Sequence, residues 1–374
     1  MRKWVVIILL VGIVSGAGIF YLISKPEQRA VFADVTQVLS DGPISENFDK
    51  AVHPRSFNFP GDFGPHNTFQ TEWWYFTGNL NSEGGRPFGY QLTFFRQAIG
   101  KQNTSHSRWR TNQLYMAHFA ISDIKQGEFY TFERFSRDSL GLSGAKAQPF
   151  KVWLENWEVA ETRGGNWMLR AREQKIDIQL TLTQLKPLIF NGQDGLSQKG
   201  PEEGNSSYYY SNTRIRSKGH IGIADETYSV SGFSWLDREW STSALSRNQT
   251  GWDWFSIQLD DWREIMFFQI RKEDGGISEF SSGSFVDRDG IRLHLKKSDV
   301  EIAVVDYWRS PATDKRYPSA WNIRIPTKNL EFFMEPLQKN QEHHHRFAYW
   351  EGAVQVRGDG ISGKGYAELT GYSQ

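Results

Sequence analysis

Gly232-Phe233-Ser234-Trp235-Leu236-Asp237-Arg238-Glu239-Trp240-Ser241-Thr242-Ser243 is the stretch on which the fold turns. Extended, it sends Phe233, Trp235, Asp237 and Glu239 to one face and Leu236, Arg238 and Trp240 to the other. Two carboxylates flanked by large rings are unusual on a surface strand. A carboxyl group pressed against indole loses hydration, so its pKa rises and it holds a proton near neutral pH. A second reading of the same residues is structural: Asp237 and Glu239 neutralised by Arg238 and packed without a chemical role.

The same strand style runs outward in both directions. Upstream, Glu72-Trp73-Trp74-Tyr75-Phe76-Thr77-Gly78-Asn79-Leu80 leads through Gly84-Gly85-Arg86-Pro87 into Phe88 to Phe95. There Phe88, Tyr90, Leu92 and Phe94 alternate with Gly89, Gln91 and Thr93, a hairpin signature. Ile176, Ile178, Leu180 and Leu182 alternate with Asp177, Gln179, Thr181 and Thr183 in a further strand. Tyr208-Tyr209-Tyr210 opens another, and Lys218 to Ile223 reads as the next. Downstream, Trp252-Asp253-Trp254-Phe255-Ser256-Ile257-Gln258-Leu259 and Glu264 to Arg271 echo the first hairpin faintly. Helical periodicity is nearly missing, and short strands punctuated by Gly, Asn, Asp and Pro predict an all-β chain of two antiparallel β-barrel domains. The expected divisions are 1–25 (anchor or signal), 26–55 (linker), 56–243 (first barrel) and 244–374 (second barrel).

Composition narrows the function classes. Lys plus Arg equals Asp plus Glu at 43 each, with no long run of one sign, so nucleic acid is not an expected partner. There are 15 Trp, 14 Tyr and 26 Phe, enough rings to line an apolar cavity as well as fill two cores. Cysteine is absent, which removes disulfides and thiol nucleophiles. Arg2 and Lys3 precede Trp4 to Ile23, a stretch of 20 residues without a charge, long enough to cross a bilayer as a helix. This favours an uncleaved anchor with Arg2 and Lys3 on the cytoplasmic side over a cleaved signal peptide. Either places the body in the cell envelope, at the periplasmic face of the inner membrane or free in the periplasm.

The candidate site residues follow from this pattern. Asp237 and Glu239 are the candidate catalytic carboxylates. Glu72, Trp74, Phe76, Tyr208, Tyr210, Trp235 and Trp240 are the candidate ligand-binding residues, with His118. A lone His on an apolar strand such as Tyr115 to Ile121 also fits a hydrogen-bonded core residue. His343-His344-His345 reads as a polar loop, because consecutive strand residues point apart and no further ligand completes a metal site. No dinucleotide fingerprint, phosphate-cradling glycine loop or Gly-x-Ser-x-Gly elbow occurs, and no cofactor or metal is expected. A protonated Asp237 facing an alkene would donate to the double bond, with Trp235, Tyr208 or Tyr210 stabilising the cation. A glycosidase pair of Asp237 and Glu239 is a further option on the same strand.

Several motifs together resemble the lipocalin-like AttH family, which includes the carotenoid 1,2-hydratases (hydroxyneurosporene synthases). They are Gln70-Thr71-Glu72-Trp73-Trp74-Tyr75-Phe76-Thr77-Gly78, Trp235-Leu236-Asp237-Arg238-Glu239-Trp240-Ser241 and Tyr307-Trp308-Arg309-Ser310-Pro311. Arg316-Tyr317-Pro318-Ser319 and Tyr349-Trp350-Glu351-Gly352 complete the set. The resemblance spans about Ala51 to Tyr372. It implies two lipocalin-like barrels with a site near their junction, Asp237 as proton donor and Trp235 in the pocket wall. A His-x-Trp pair of the hydratases has its place at Tyr208 and Tyr210, or at His220, so carotenoid hydration as such is not implied. Other members resemble exported proteins encoded beside ABC-type transporter components. The leading expectation is therefore an exported protein that binds a hydrophobic, lipid-like or isoprenoid-like ligand as accessory to such a transporter. The alternative is a cofactor-independent hydratase or cyclase, a hydro-lyase acting on an isoprenoid-like alkene through Asp237.

Overall fold

The computed structural model describes residues 48–100, 111–242, 245, 246 and 248–372. The expected N-terminal anchor and residues 26–47 of the expected linker lie outside the described residues. Among the described residues no helix is long and apolar enough to cross a membrane. The described residues are all-β with three single-turn 3₁₀ segments, and their strands form two barrel-like sheets, the first nearly closed and the second a half-barrel.

The first sheet begins with the meander β1 (Thr71–Ser82), β2 (Pro87–Ala98), β3 (Gln113–Asp123) and β4 (Glu128–Arg137). Short strands follow: β5 (Ser143–Ala147), β6 (Phe150–Leu154), β7 (Trp157–Glu161), β8 (Trp167–Glu173) and β9 (Ile176–Gln184). Then come β10 (Ile189–Phe190), β11 (Leu196–Gln198), β12 (Ser206–Ile223) and β13 (Glu226–Ser241). The sheet order is β4-β3-β2-β1-β13-β12-β9-β8-β7-β6-β5, so the long β13 closes back onto β1. The two separate strands expected at Tyr208 and Lys218 are one strand, β12, interrupted by a bulge between Asn212 and Ile215. A bulge shifts the facing pattern by a residue, which makes one long strand look like two in the sequence.

The second sheet contains β14 (Gln249–Leu259), β15 (Glu264–Lys272), β16 (Ser282–Val286), β17 (Arg292–Lys296) and β18 (Glu301–Arg309). It continues with β19 (Arg316–Ile325), β20 (Leu330–Pro336), β21 (Glu342–His344), β22 (Ala348–Gly358) and β23 (Ile361–Leu369). Its order is β17-β16-β15-β14-β23-β22-β20-β19-β18. The echoing sequences β1-β2 and β14-β15 are the opening hairpin of each sheet. The triple-His segment is not a polar loop at its start. His343 is buried in β21, and its ring stacks on Tyr349 at 4.7 Å.

Alternation sends most apolar residues either to the interior of a sheet or to the face where the sheets meet. Trp74, Phe76, Leu92, Phe94 and Phe119 fill the first barrel, and Phe255, Phe267, Trp321, Phe332 and Trp350 fill the second. A third cluster, with Tyr75, Tyr209, Trp235, Trp254, Met266 and Phe268, lies where the two sheets meet. The described end of the expected linker is not loose: Ala51 is fully buried against Phe69, Tyr208, Tyr210 and Trp240.

A buried ionic latch joins the sheets. Glu264 of β15 accepts from Arg214 Nε of β12 at 2.5 Å and from Lys186 Nζ, just beyond β9, at 2.8 Å. Lys186 also donates to the carbonyls of Trp262 and Asp287. All three side chains are nearly closed to solvent, so removing one strands the others. Glu264→Ala is expected to lower stability by about 3–5 kcal/mol in urea denaturation, and a loss near zero would show the latch to be dispensable.

Candidate active site

The strand pairing around β13 decides which side chains share a face. Asp237 lies opposite Tyr75 on β1 and Ser211 on β12, and Glu239 lies opposite Trp73 and Tyr209. Directly opposed residues stand on the same face of a sheet. The row through Asp237 continues from Tyr75 to Thr93, His118 and Glu133. This is the outer face of the first barrel, and the second sheet packs over it.

Asp237 is 3% exposed and has no cation bonded to it among the described residues. Ser211 Oγ donates to Oδ1 at 2.5 Å, Trp235 Nε1 to the same oxygen at 2.7 Å, and Tyr209 Oη to Oδ2 at 2.5 Å. Burial pushes its pKa up, the three donors pull it back, and the neighbouring Glu239 adds a smaller upward push, leaving it at about 7. A carboxyl group in this position is present in both protonation states at neutral pH. Tyr209 is in turn held by Trp254 Nε1 of β14 at 3.1 Å, so the second sheet reaches Asp237 through one residue.

Glu239 has a different environment. Ser207 Oγ bonds Oε1, and Lys199 Nζ lies 3.3 Å from the same oxygen. That ammonium sits 3.7 Å from the centroid of Phe268 and 5.1 Å from that of Tyr209. Burial lowers the Lys199 pKa, while the charges of Glu239 and Asp237 oppose the change.

The facing wall comes from the second sheet. Phe268, Trp254, Glu368 and Glu351 form one row across β15, β14, β23 and β22. Trp254 meets Tyr75 edge-on at 5.0 Å and Trp235 at 6.4 Å. Glu368 is partly buried and accepts from Trp252 Nε1 at 3.0 Å. Burial raises its pKa, Trp252 opposes this, and the charges of Asp237 and Glu239 add to it, to about 8. Glu351 is 1% exposed, and burial with the nearby Glu368 drives it well above the carboxylate range, against the opposing pull of the nearby Tyr75 and Tyr349 hydroxyls. Gln91 Nε2 bonds Glu351 at 2.6 Å, and His118 Nδ1 lies 2.6 Å from the Tyr349 hydroxyl.

Of the residues expected from sequence, Asp237, Glu239, Trp235 and His118 share this junction face. Glu72, Trp74, Phe76, Tyr208, Tyr210 and Trp240 stand on the opposite face, Trp74 and Phe76 in the core of the first barrel and Tyr208, Tyr210 and Trp240 in a separate cluster with Ala51 and Phe69. The physical reason is parity: on β1 the even positions pair with the even positions of β13. Phe57, Phe59, Phe190 and His66 fill the space beside Tyr208, Tyr210 and Trp240, with His66 stacked on Trp240 at 3.7 Å. Glu72 is fully buried there between Arg238 at 2.5 Å, Arg96 at 2.9 Å and His66 at 2.7 Å. Burial would raise its pKa, but Arg238, Arg96 and His66 outweigh that and hold it well below the usual range. Arg238 therefore neutralises Glu72, not Asp237. The junction residues that sequence reasoning missed are Tyr75, Tyr209, Ser211, Trp254, Glu351 and Glu368. Parity offered Tyr75 and Tyr209, the neighbours of residues that were chosen, whereas nothing in the sequence marked Glu368.

Among the described residues no group of three or more His, Asp or Glu side chains converges as a metal site. What the junction offers is a neutralisable acid beside the faces and edges of several rings. Aromatic faces attract cations, so the same walls suit a carbon centre that becomes positive.

A family model described as AttH-like matches residues 50–372. A crystal structure from Nitrosomonas europaea, described as an AttH, is 35% identical, with a TM-score of 0.78 over 87% of this chain and 100% of its own. Kievitone hydratase from Nectria haematococca superposes with a TM-score of 0.66 at 13% identity, over 88% of this chain and 97% of its own. CghA, solved with Sch210972, superposes with a TM-score of 0.51 at 11% identity over the same shares. At such identities these last two speak for the fold alone. A search of curated proteins returns no match. With a family model and a 35% identical structure both spanning most of its length, the chain belongs to the AttH-like family.

Proposed function

We propose that this protein is a hydratase that adds water to an isoprenoid-like alkene at the barrel junction, with Asp237 as the general acid. One observation carries the reading: a carboxyl group poised at about 7, held by three neutral donors and no cation, within an aromatic junction. The Asp237 proton forms the new C–H bond as the π bond breaks. Trp235, Trp254 and Tyr75 surround the positive carbon, and a water oxygen then forms the C–O bond. The hydratase named among the structural neighbours supports the reaction class coarsely.

The carrier reading uses the same junction. The many rings there favour a lipophilic ligand under either reading, but holding such a ligand has no need of a neutralisable acid. Envelope location and an ABC-type transporter partner belong to the carrier proposal, and cell fractionation with transporter co-purification tests them.

The full chain incubated with geranylgeraniol and squalene in ¹⁸O-labelled water is expected to yield alcohols carrying one labelled oxygen. Asp237→Asn is expected to lower that rate by roughly 10²–10⁴. Retention of an unreacted alkene by both proteins, with no label incorporated, supports the carrier instead. On the alkaline side of neutrality the parent rate is expected to fall as pH rises, because the donor must hold its proton.

Stability gives an independent check on the same group. Asp237 titrates near 7 in the folded chain against an ordinary value of 3.8, so the folded state keeps a proton that the unfolded state has lost. Its stabilising contribution is complete below the unfolded value and is lost as pH rises through the folded one. Asp237→Asn lacks this dependence and is expected to gain about 2–3 kcal/mol relative to the parent between pH 5 and pH 8 in urea titrations. Equal differences at both pH values contradict the shift.

A further inference from the structure

Asp237 can supply a proton, but the water that captures the cation must also lose one. The acceptor has to stand on the other side of the bound alkene or at its edge, and it must be open to exchange with solvent. Asp237 and Glu351 are 3% and 1% exposed, and Glu239 is engaged by Ser207 and Lys199. Glu368 differs from all three. It shares the wall facing Asp237 with Glu351, but unlike the other three it remains partly open, and Trp252 holds its Oε1 at 3.0 Å. Its Oε2 accepts no hydrogen bond among the described residues. Its β14 neighbour across the pair is Trp254, whose indole bonds Tyr209, which bonds Asp237.

Resting on the hydration reading above, we propose that Glu368 is the second proton-transfer group of the junction, accepting the proton of the attacking water on Oε2. Asp237 loses its proton to carbon, the π electrons form the C–H bond, and the water oxygen forms the C–O bond. The released water proton passes to Glu368 in its ionised form, which coexists with protonated Asp237 only as the minor arrangement of the pair. Turnover is therefore expected to peak between about pH 7 and 8. Alkene plus water gives alcohol, and the two carboxyl groups exchange protonation states. Exchange of both with solvent restores the start, by way of the partly open Glu368. The ionisable groups around this pair are Glu239 on β13, Lys199 after β11, Tyr209 on β12, Tyr75 on β1, and Glu351 with Tyr349 on β22. Their fields tune both carboxyl groups, and Glu368 and Asp237 feel one another.

The test separates the two half-reactions with geranylgeraniol in deuterium oxide, using the full chain. Parent protein is expected to form deuterated alcohol. Glu368→Gln is expected to keep deuterium exchange into recovered alkene, which Asp237 alone performs, while alcohol formation falls roughly 10²–10³-fold. Asp237→Asn is expected to lose both. Unchanged alcohol formation in Glu368→Gln overturns the proposal while leaving the hydratase reading intact. If the parent shows neither product nor exchange, the hydratase reading fails, and the role of Glu368 is then decided by carbon-13 NMR of glutamate-labelled protein. A Glu368 carboxyl that titrates in the ordinary range, and does not move in Asp237→Asn, overturns the inference. A raised titration that falls in that variant sustains the coupling on which it depends.

Discussion

The second sheet takes water away from Asp237, and the rest of the account depends on that one desolvation. The first barrel on its own would present Trp235, Asp237 and Glu239 on an outer face. Packing β14, β15, β22 and β23 over that face closes the carboxyl to 3% exposure and brings Trp254 to its Tyr209 partner. The rings that exclude water are the same rings that would meet a cation. The latch of Arg214 and Lys186 on Glu264 fastens the sheets beside this face, so a structural ion cluster supports a chemical property some residues away.

Two carboxylates on neighbouring strands show how far surroundings decide a role. Glu72 and Asp237 are both buried, yet Glu72 faces two guanidinium groups and an imidazole on the opposite face. It is held charged and structural. Asp237 faces only hydroxyl and indole donors and is driven toward the neutral form. Arg238, adjacent in sequence to Asp237, serves Glu72 because successive strand residues point to opposite faces. The structural reading of Asp237 as an ion pair with Arg238 therefore fails on parity, while the same reading holds for Glu72.

Much of the fold was legible. Alternation in Phe88 to Phe95 and Ile176 to Leu182 located strands, and the echo of the two opening hairpins anticipated two sheets. The facing of Phe233 to Trp240 was also readable, and it isolated Asp237, Glu239 and Trp235 correctly as one face. What alternation within a strand cannot supply is register between strands. Glu72, Trp74 and Phe76 were grouped with Asp237, although one residue of register separates them from Trp73 and Tyr75, which share its face. Tyr208 and Tyr210 failed for the same reason, with Tyr209 between them as the true neighbour. Glu368 lay wholly beyond reach, because its contact with the junction arises from pairing between β14 and β23 at the far end of the chain.

Direct titration of the Asp237 carboxyl by carbon-13 NMR, assigned by its loss in Asp237→Asn, tests the central claim without reference to any substrate. Burial among neutral donors predicts a midpoint raised to about 7. A midpoint close to the ordinary 3.8 would mean that solvent or a cation reaches the group, and the junction would then hold no acid to donate.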